Sequence, residues 1–401
     1  MKSHSFRIFT LFSFLISLFA NAAMIVTPAR AAGEPTVTSV ISNTANGTFN
    51  QGDSISVNVQ FSEDVNVDTS GGTPSICFET GITDRCVNYA SGSGSDTLTF
   101  DNYVVQAGDN SSDLEYVDTS ALQLNGAVIQ DIDLNDAILT LPTQGASGSF
   151  SYNNNFVVDT TAPAVADVIS GTSDGSFNQG DHIGISVQFS EVVNVNTSGG
   201  TPSICFETGT TDRCVNYASG SGSTTLVFDD YVVQAGDNSS DLEYVDTSAL
   251  HLNSAIIQDA AGNDANLTLP TPGASGSFGY NNNFVVDTTA PAVISVISGT
   301  SDGSFNQGDH IGISVQFSEV VNVNTSGGTP TICFETGTTD RCVSYASGSG
   351  STTLAFDDYI VQAGDNSSDL EYVDTSALHL NSAIIQDAAG NDANLTLPTP
   401  G

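Results

Sequence analysis

Positive charge is almost missing from this chain: Lys2, Arg7, Arg30, Arg85, Arg213 and Arg341 stand against 45 aspartates and glutamates. Phosphate neutralisation needs clustered lysine and arginine, so nucleic-acid binding is excluded. The same charge argues against attraction to anionic lipid. An acidic surface of this kind repels itself at low salt and is tolerated where salt screens it or bound cations offset it. Saline surroundings, Ca²⁺ binding or both are therefore expected.

Long apolar runs are also scarce. Lys2 and Arg7 precede one, Ile8 to Ala20, and the small-residue patterns Ala20-Asn21-Ala22 and Ala29-Arg30-Ala31 follow it. This is the layout of a secretory signal peptide over residues 1–31, cleaved after Ala22 or Ala31. No later run approaches the 18 residues of a spanning helix, so no membrane insertion is expected after cleavage. A cut after Ala31 leaves three arginines against 45 acids, a net charge of −42.

Catalytic signatures are sparse as well. There is no HExxH helix and no Walker loop. His182, His251, His310 and His379 fall at two repeat positions, occupied by Ser54 and Gln123 in the first repeat, and read as surface decoration. No catalytic residue is assigned and an enzyme is not expected; paired carboxylates for glycoside hydrolysis are the enzymatic alternative in so acidic a chain.

What the chain does have is repetition. Asp159-Thr160-Thr161-Ala162-Pro163 recurs 128 residues later at Asp287-Thr288-Thr289-Ala290-Pro291, and Pro35, Pro163 and Pro291 mark three starts. The expected units are residues 32–161, 162–289 and 290–401. The second and third differ at six aligned positions: Ala166/Ile294, Asp167/Ser295, Ser203/Thr331, Asn216/Ser344, Val227/Ala355 and Val232/Ile360. The third lacks a counterpart of Ala274 to Thr289, hence its last strand, and is expected to be the less stable.

Within each repeat the pattern is that of strands. Ile55, Val57, Val59 and Phe61 alternate with polar residues, as do Ile183, Ile185, Val187 and Phe189. Turn residues punctuate the chain at short intervals. The fold class expected is all-β, as tandem immunoglobulin-like β-sandwich domains. The lack of tryptophan removes the buried residue of antibody domains, so the likeness is one of architecture.

Six cysteines form three pairs nine residues apart: Cys77 with Cys86, Cys205 with Cys214, and Cys333 with Cys342. Two short strands around a turn at Gly81-Ile82 would set the first pair opposite each other on one face. One hairpin disulfide per repeat follows, in an oxidising secreted setting.

Three groups of oxygen-bearing residues suit a hard cation. One is Asp259, Asn263 and Asp264, repeated as Asp387, Asn391 and Asp392 and, in the first repeat, as Asp131, Asn135 and Asp136. A second is the stretch Asp237 to Glu243, present in all three copies. The third is the linker aspartate, Asp159 or Asp287, which is the preferred place because a cation there would stiffen a joint only a few residues long. The same residue types are ordinary in tight turns.

Val-Asp-Thr-Thr-Ala-Pro at each joint, Gly-Asp-His-Ile-Gly-Ile-Ser-Val-Gln-Phe-Ser-Glu, Gln-Ala-Gly-Asp-Asn-Ser-Ser-Asp-Leu-Glu-Tyr and Ile-Gln-Asp-Ala-Ala-Gly-Asn-Asp-Ala together resemble the bacterial Ig-like domain repeats of large secreted or cell-surface, adhesin-type proteins, from about Glu34 to Gly401. The resemblance implies a secreted or cell-surface spacer or adhesion module facing an extracellular surface, a glycan or a neighbouring protein. It also implies Ca²⁺ at the joints through Asp159 and Asp287. The cysteine pair departs from that family's usual pattern. The alternative is the accessory or carbohydrate-binding region of a larger secreted enzyme.

Overall fold

The computed structural model of the protein describes residues 33–401, so the signal-peptide reading of residues 1–31 lies outside them. Those residues form strands joined by turns, bends and irregular segments, with two four-residue helices, Phe150–Asn153 and Phe278–Asn281. The all-β class is therefore the observed one.

Contacts group the described chain into two compact units. The first takes the chain up to Asn46, Ser54–Val104 and Asp113–Phe156; the second takes Gly47–Asp53, Val105–Ser112 and Val157–Gly401. The first unit is built on one antiparallel sheet, in the order Val37–Ile41, Ser54–Asp68, Ser95–Val104, Arg85–Ser91, Ser75–Glu79 and Glu115–Tyr116. Leu122–Gln123 adds to Ser75–Glu79, and Val128–Gln130 adds to the long strand.

The second unit repeats this arrangement. In residues 162–289 the order is Val165–Ile169, His182–Asn196, Ser223–Val232, Arg213–Ser219, Ser203–Glu207 and Glu243–Tyr244. The fifteen-residue strand His182–Asn196 serves two sets of partners. Its first half pairs with Val165–Ile169 and Ser223–Val232. Its second half pairs with Ile256–Gln258, after a register break between Gln188 and Val193. A bulge at that point re-aims the chain, and the side chain it releases is Glu191.

The alternation seen in sequence becomes burial. Ile183, Ile185, Val187 and Phe189 point into one core with Leu226 and Phe228, all under 5% exposed. Period two leaves the intervening Gly184, Ser186 and Gln188 half-buried. Each fully buried Val, Ile or Phe contributes roughly 1.5–3 kcal/mol from removed apolar area, so this strand alone anchors the repeat. One close approach fixes a glycine: a β-carbon on Gly200 would fall 1.7 Å from the main-chain oxygen of Asn253.

The last segment of this repeat closes the core. Phe278 and Phe284 are 0% exposed. Phe284–Asp287 lies between Gly175–Phe177, parallel to it, and Asn238–Ser239, antiparallel. Residues 290–401 hold the equivalent main sheet with seven strands, but no counterpart of this three-stranded sheet among the described residues. Gly303–Phe305 and Asn366–Ser367 are not strands there. The reason is physical: short edge segments without a partner strand have nothing to satisfy their ladder hydrogen bonds.

All six cysteines are paired as their spacing predicts. Cys205 faces Cys214 in the register of a two-stranded hairpin, with α-carbons 3.9 Å apart, and the other two pairs match it. The bond lies on the outer side of the sheet, since Cys214 is exposed and Cys205 only half-buried.

Candidate metal centre

Asp287 ends the strand Phe284–Asp287 and opens the Thr-Thr-Ala-Pro linker into the third repeat. Its main chain is held by pairing with Asn238. One carboxylate oxygen, Oδ1, accepts the amide of Thr289 at 2.9 Å, the usual aspartate turn that starts an extended linker. Glu319 comes from the long strand His310–Asn324, within its register break between Gln316 and Val321. Asp387 follows the strand Ile384–Gln386 and is 6% exposed. It is locked by its own loop: Oδ1 accepts the amide of Asn391 at 2.9 Å, and Oδ2 accepts Nδ2 of Asn391 at 2.7 Å.

These three elements bring one oxygen each of Asp287, Glu319 and Asp387 within 4.8 Å of one another. Asp159, Glu191 and Asp259 form the same triad 128 residues earlier, also wholly within the second unit. Burial and the facing charges of Asp287 and Asp387 push the Glu319 carboxyl above its ordinary value, and Asp159 and Asp259 act likewise on Glu191. Three carboxylates converging without a cation among them repel one another, and a proton or a cation relieves that repulsion.

The donor set fits a hard divalent ion. It is all oxygen, with no histidine or cysteine, which suits hard ions such as Mg²⁺, Ca²⁺ or Mn²⁺ better than copper. Oxygens sharing one Ca²⁺ at about 2.3–2.6 Å lie no more than about 5 Å apart, and the 4.8 Å limit meets this. Three carboxylates leave positions for water.

The sequence candidates divide into three groups. Asp159, Asp287, Asp259 and Asp387 come together in the two triads. Asn263 and Asn391 stand behind them as struts: Nδ2 of Asn263 donates to Asp259 Oδ2 at 2.8 Å and to the main-chain oxygen of Asp159 at 2.9 Å. Asp264, Asp392 and Asp136 lie outside the triads, exposed, and accept from Gln258, Gln386 and Gln130 at 2.8, 3.0 and 2.7 Å. Asp131 and Asn135 form the same locked loop in the first repeat. There the position matching Asp159 is Ala31, which carries no carboxylate.

Glu191 and Glu319 are absent from the sequence candidates. Their only signal is a Phe-Ser-Glu ending to an alternating strand, and Glu63 shows it too. Gly262 and Gly390 sit at φ +90° and +91°, and a β-carbon on either would lie 3.3 Å from Nδ2 of Asn50 or Asn178. The first repeat has Leu134 there, 75% exposed.

The acidic stretch Asp237 to Glu243 is structural. Asp237 is 1% exposed and accepts from Nε of Arg213 at 2.9 Å, Tyr231 Oη at 2.7 Å and the Gln234 amide at 2.9 Å. Burial pushes its carboxyl up, but the bonds from Arg213, Tyr231 and Gln234 outweigh this and hold it below the ordinary value. Asp365 is held alike by Tyr359 and Arg341. Burial and the bond to Asp365 push the Tyr359 hydroxyl up to about 12. Glu243 accepts the amides of Phe278 and Gly279 at 3.1 and 3.0 Å, capping the short helix.

The histidines stay at the surface: His182 and His310 lie 3.4 and 3.2 Å from Asp230 and Asp358, with every partner more than half exposed. Gly171-Thr172-Ser173-Asp174-Gly175 spells the G-x-S-x-G pattern, but it leads into the strand Gly175–Phe177 and not into the helix of a nucleophile elbow.

No family model and no curated protein matches the chain. Among solved structures it is similar to the full extracellular region of plexin A4, domains 1 to 8, at 8% identity and a TM-score of 0.22, over 88% of this chain and 33% of that one. It is also similar to the FN1–FN3 domains of chicken CNTN1, at 10% identity and 0.22, over 82% and 100%. A DUF4785 family protein from Legionella pneumophila follows at 9% and 0.19, over 90% and 91%. The chain spans about a third of that plexin's length. Scores this low carry no argument, and the functional reading rests on the chain's own residues.

Proposed function

We propose that this is a non-enzymatic, secreted or cell-surface protein whose repeats act as a spacer and adhesion module, with Ca²⁺ stiffening the joint between the second and third repeats. The observation that carries the reading is the triad Asp287, Glu319 and Asp387. One member belongs to the linker and two to the repeat that follows, so an ion bound by all three restrains the linker against that repeat. Three disulfides support an oxidising compartment. The acidic composition supports a cation-rich setting.

Small-angle scattering on the full chain tests the mechanical part. Adding millimolar Ca²⁺ narrows the distribution of maximum dimension, and chelation restores it. Identical profiles with Ca²⁺ and with chelator would remove stiffening from the account.

A further inference from the structure

In the second repeat, the segment Asp264 to Leu269 runs along the entry linker and is pinned by its main chain. The Asn266 amide donates to the main-chain oxygen of Pro163 at 2.7 Å, and the amides of Ala265 and Leu269 donate to those of Ile257 and Thr247, each at 2.9 Å. Side chains alternate along it. Leu269 is 2% exposed, and Ala265 and Leu267 pack partly buried against the same core. Period two sets Asp264, Asn266 and Thr268 on the outward face, and all three are exposed. The third repeat does the same with Asp392, Asn394 and Thr396.

The outward side chains form a turn. Oδ1 of Asn266 accepts the amide of Thr268 at 3.1 Å, and Oδ1 of Asn394 accepts that of Thr396 at 3.0 Å. The oxygen of each side-chain amide is thereby committed to the main chain. Among the described residues, neither Nδ2 and neither threonine hydroxyl has a hydrogen-bond partner. The first repeat is a natural control. Its Asp136-Ala137-Ile138-Leu139-Thr140 has the same backbone, with the Ile138 amide 2.7 Å from the oxygen of Pro35, but carries an isoleucine, 42% exposed, in place of the asparagine.

We propose that Asn266 and Asn394 are glycosylation sites, each taking an N-linked oligosaccharide. Asn-Leu-Thr is the acceptor pattern, asparagine then any residue but proline then serine or threonine, and the pattern acts from exposed positions. Asp264 and Asp392, on the same face two residues ahead, give a transferase an anionic contact for a cationic side chain. Other stretches of this spacing fit less well. Asn196-Thr197-Ser198 has the turn, but Asn194 and not an acid two residues ahead. Asn238-Ser239-Ser240 has Nδ2 turned to the oxygen of Gly236 at 3.4 Å, and its Oδ1 accepts from Thr288. In the transfer, Nδ2 attacks the anomeric carbon of a polyprenyl-diphosphate-linked oligosaccharide. A carbon–nitrogen bond forms and the carbon–oxygen bond to the diphosphate breaks. The polyprenyl diphosphate leaves with the electron pair, Nδ2 gives up one proton, and nothing is oxidised or reduced. The inference rests on the reading of the protein as exported, because exported chains meet this chemistry.

The test uses the purified full chain, a bacterial asparagine oligosaccharyltransferase and one lipid-linked oligosaccharide of known mass, read by intact mass and peptide mapping. The expected product carries two glycans, at Asn266 and Asn394. Asn266→Gln and Thr268→Ala each leave one, Thr268→Ser keeps two, and Ile138→Asn gains a third. An unchanged mass, glycans on asparagines other than these, or two glycans retained in Thr268→Ala overturns the proposal. Transfer to the purified chain reads the acceptor alone, while recovery of the chain outside the cytoplasm of an expressing bacterium reads export, so failure of one is distinct from failure of the other.

Discussion

Nδ2 of Asn391 lies 2.8 Å from the main-chain oxygen of Asp287, 104 residues earlier in the chain. The same nitrogen donates to Asp387 Oδ2 at 2.7 Å. One side chain thus ties the linker to the loop and sets the distance between two carboxylates that would otherwise move apart. Asn263 does the same for Asp159 and Asp259. The strut carries no charge of its own, so it orders the carboxylates without neutralising them.

Removing one charge should therefore help the chain when no cation is present. Glu319→Gln relieves repulsion from Asp287 and Asp387 and is expected to raise the melting temperature in chelator at pH 7 by roughly 2–4 °C. The same variant should lose the response of that triad to Ca²⁺. Scanning calorimetry with and without chelator reads both effects, and a drop in stability in chelator would count against a repulsive cluster.

Acid should compete with the cation. Glu319 and Glu191 have pKa values raised in the folded state. A raised carboxylate disfavours folding above its folded pKa, and the penalty is relieved as pH falls through that value towards the ordinary 4.5. Ca²⁺ affinity should weaken over that same descent, because protons take the place of the ion. Titrations at pH 7.5 and pH 5 check this, with weaker binding expected at pH 5.

The buried anchor of Arg213 predicts the opposite pH dependence. Asp237 is depressed in the folded state, so its contribution is fully present above the ordinary 3.8 and is lost as pH falls through the lower folded value. Asp237→Asn leaves Arg213 and Tyr231 without their charged acceptor and should cost roughly 2–4 kcal/mol. Denaturant unfolding measures the loss, and a change under about 0.5 kcal/mol would refute the anchor role.

The hairpin disulfides should matter little individually. Each closes a loop of only nine residues' separation, so the Cys205→Ser, Cys214→Ser double variant is expected to lose less than the roughly 3 kcal/mol of a 15-residue loop. Thiol titration of the unreduced, unfolded protein should find no free cysteine among residues 33–401.

The strands and disulfides were readable because their signals are local. Ile183 to Phe189 alternate in plain view, and Cys205 and Cys214 are nine apart around a turn. The triads were half readable. Asp159 and Asp287 stand out in a repeated linker, and Asp259 and Asp387 in a repeated loop. Glu191 and Glu319 were hidden, because only the register slip after Gln188 or Gln316 turns them towards the linker, and period two alone does not encode a slip. Asp237 and Glu243 misled for a related reason. Acids in a turn-like stretch look like ligands until the fold shows that Arg213 and the amides of Phe278 and Gly279 already use them.

Isothermal titration of the full chain with CaCl₂ at pH 7.5 tests the central claim most directly. Two triads are present among the described residues, and the first repeat has Ala31 in place of the linker aspartate. The predicted result is two ions per chain, falling to one in Glu319→Gln. No heat at millimolar Ca²⁺, with no change in melting temperature, would contradict it.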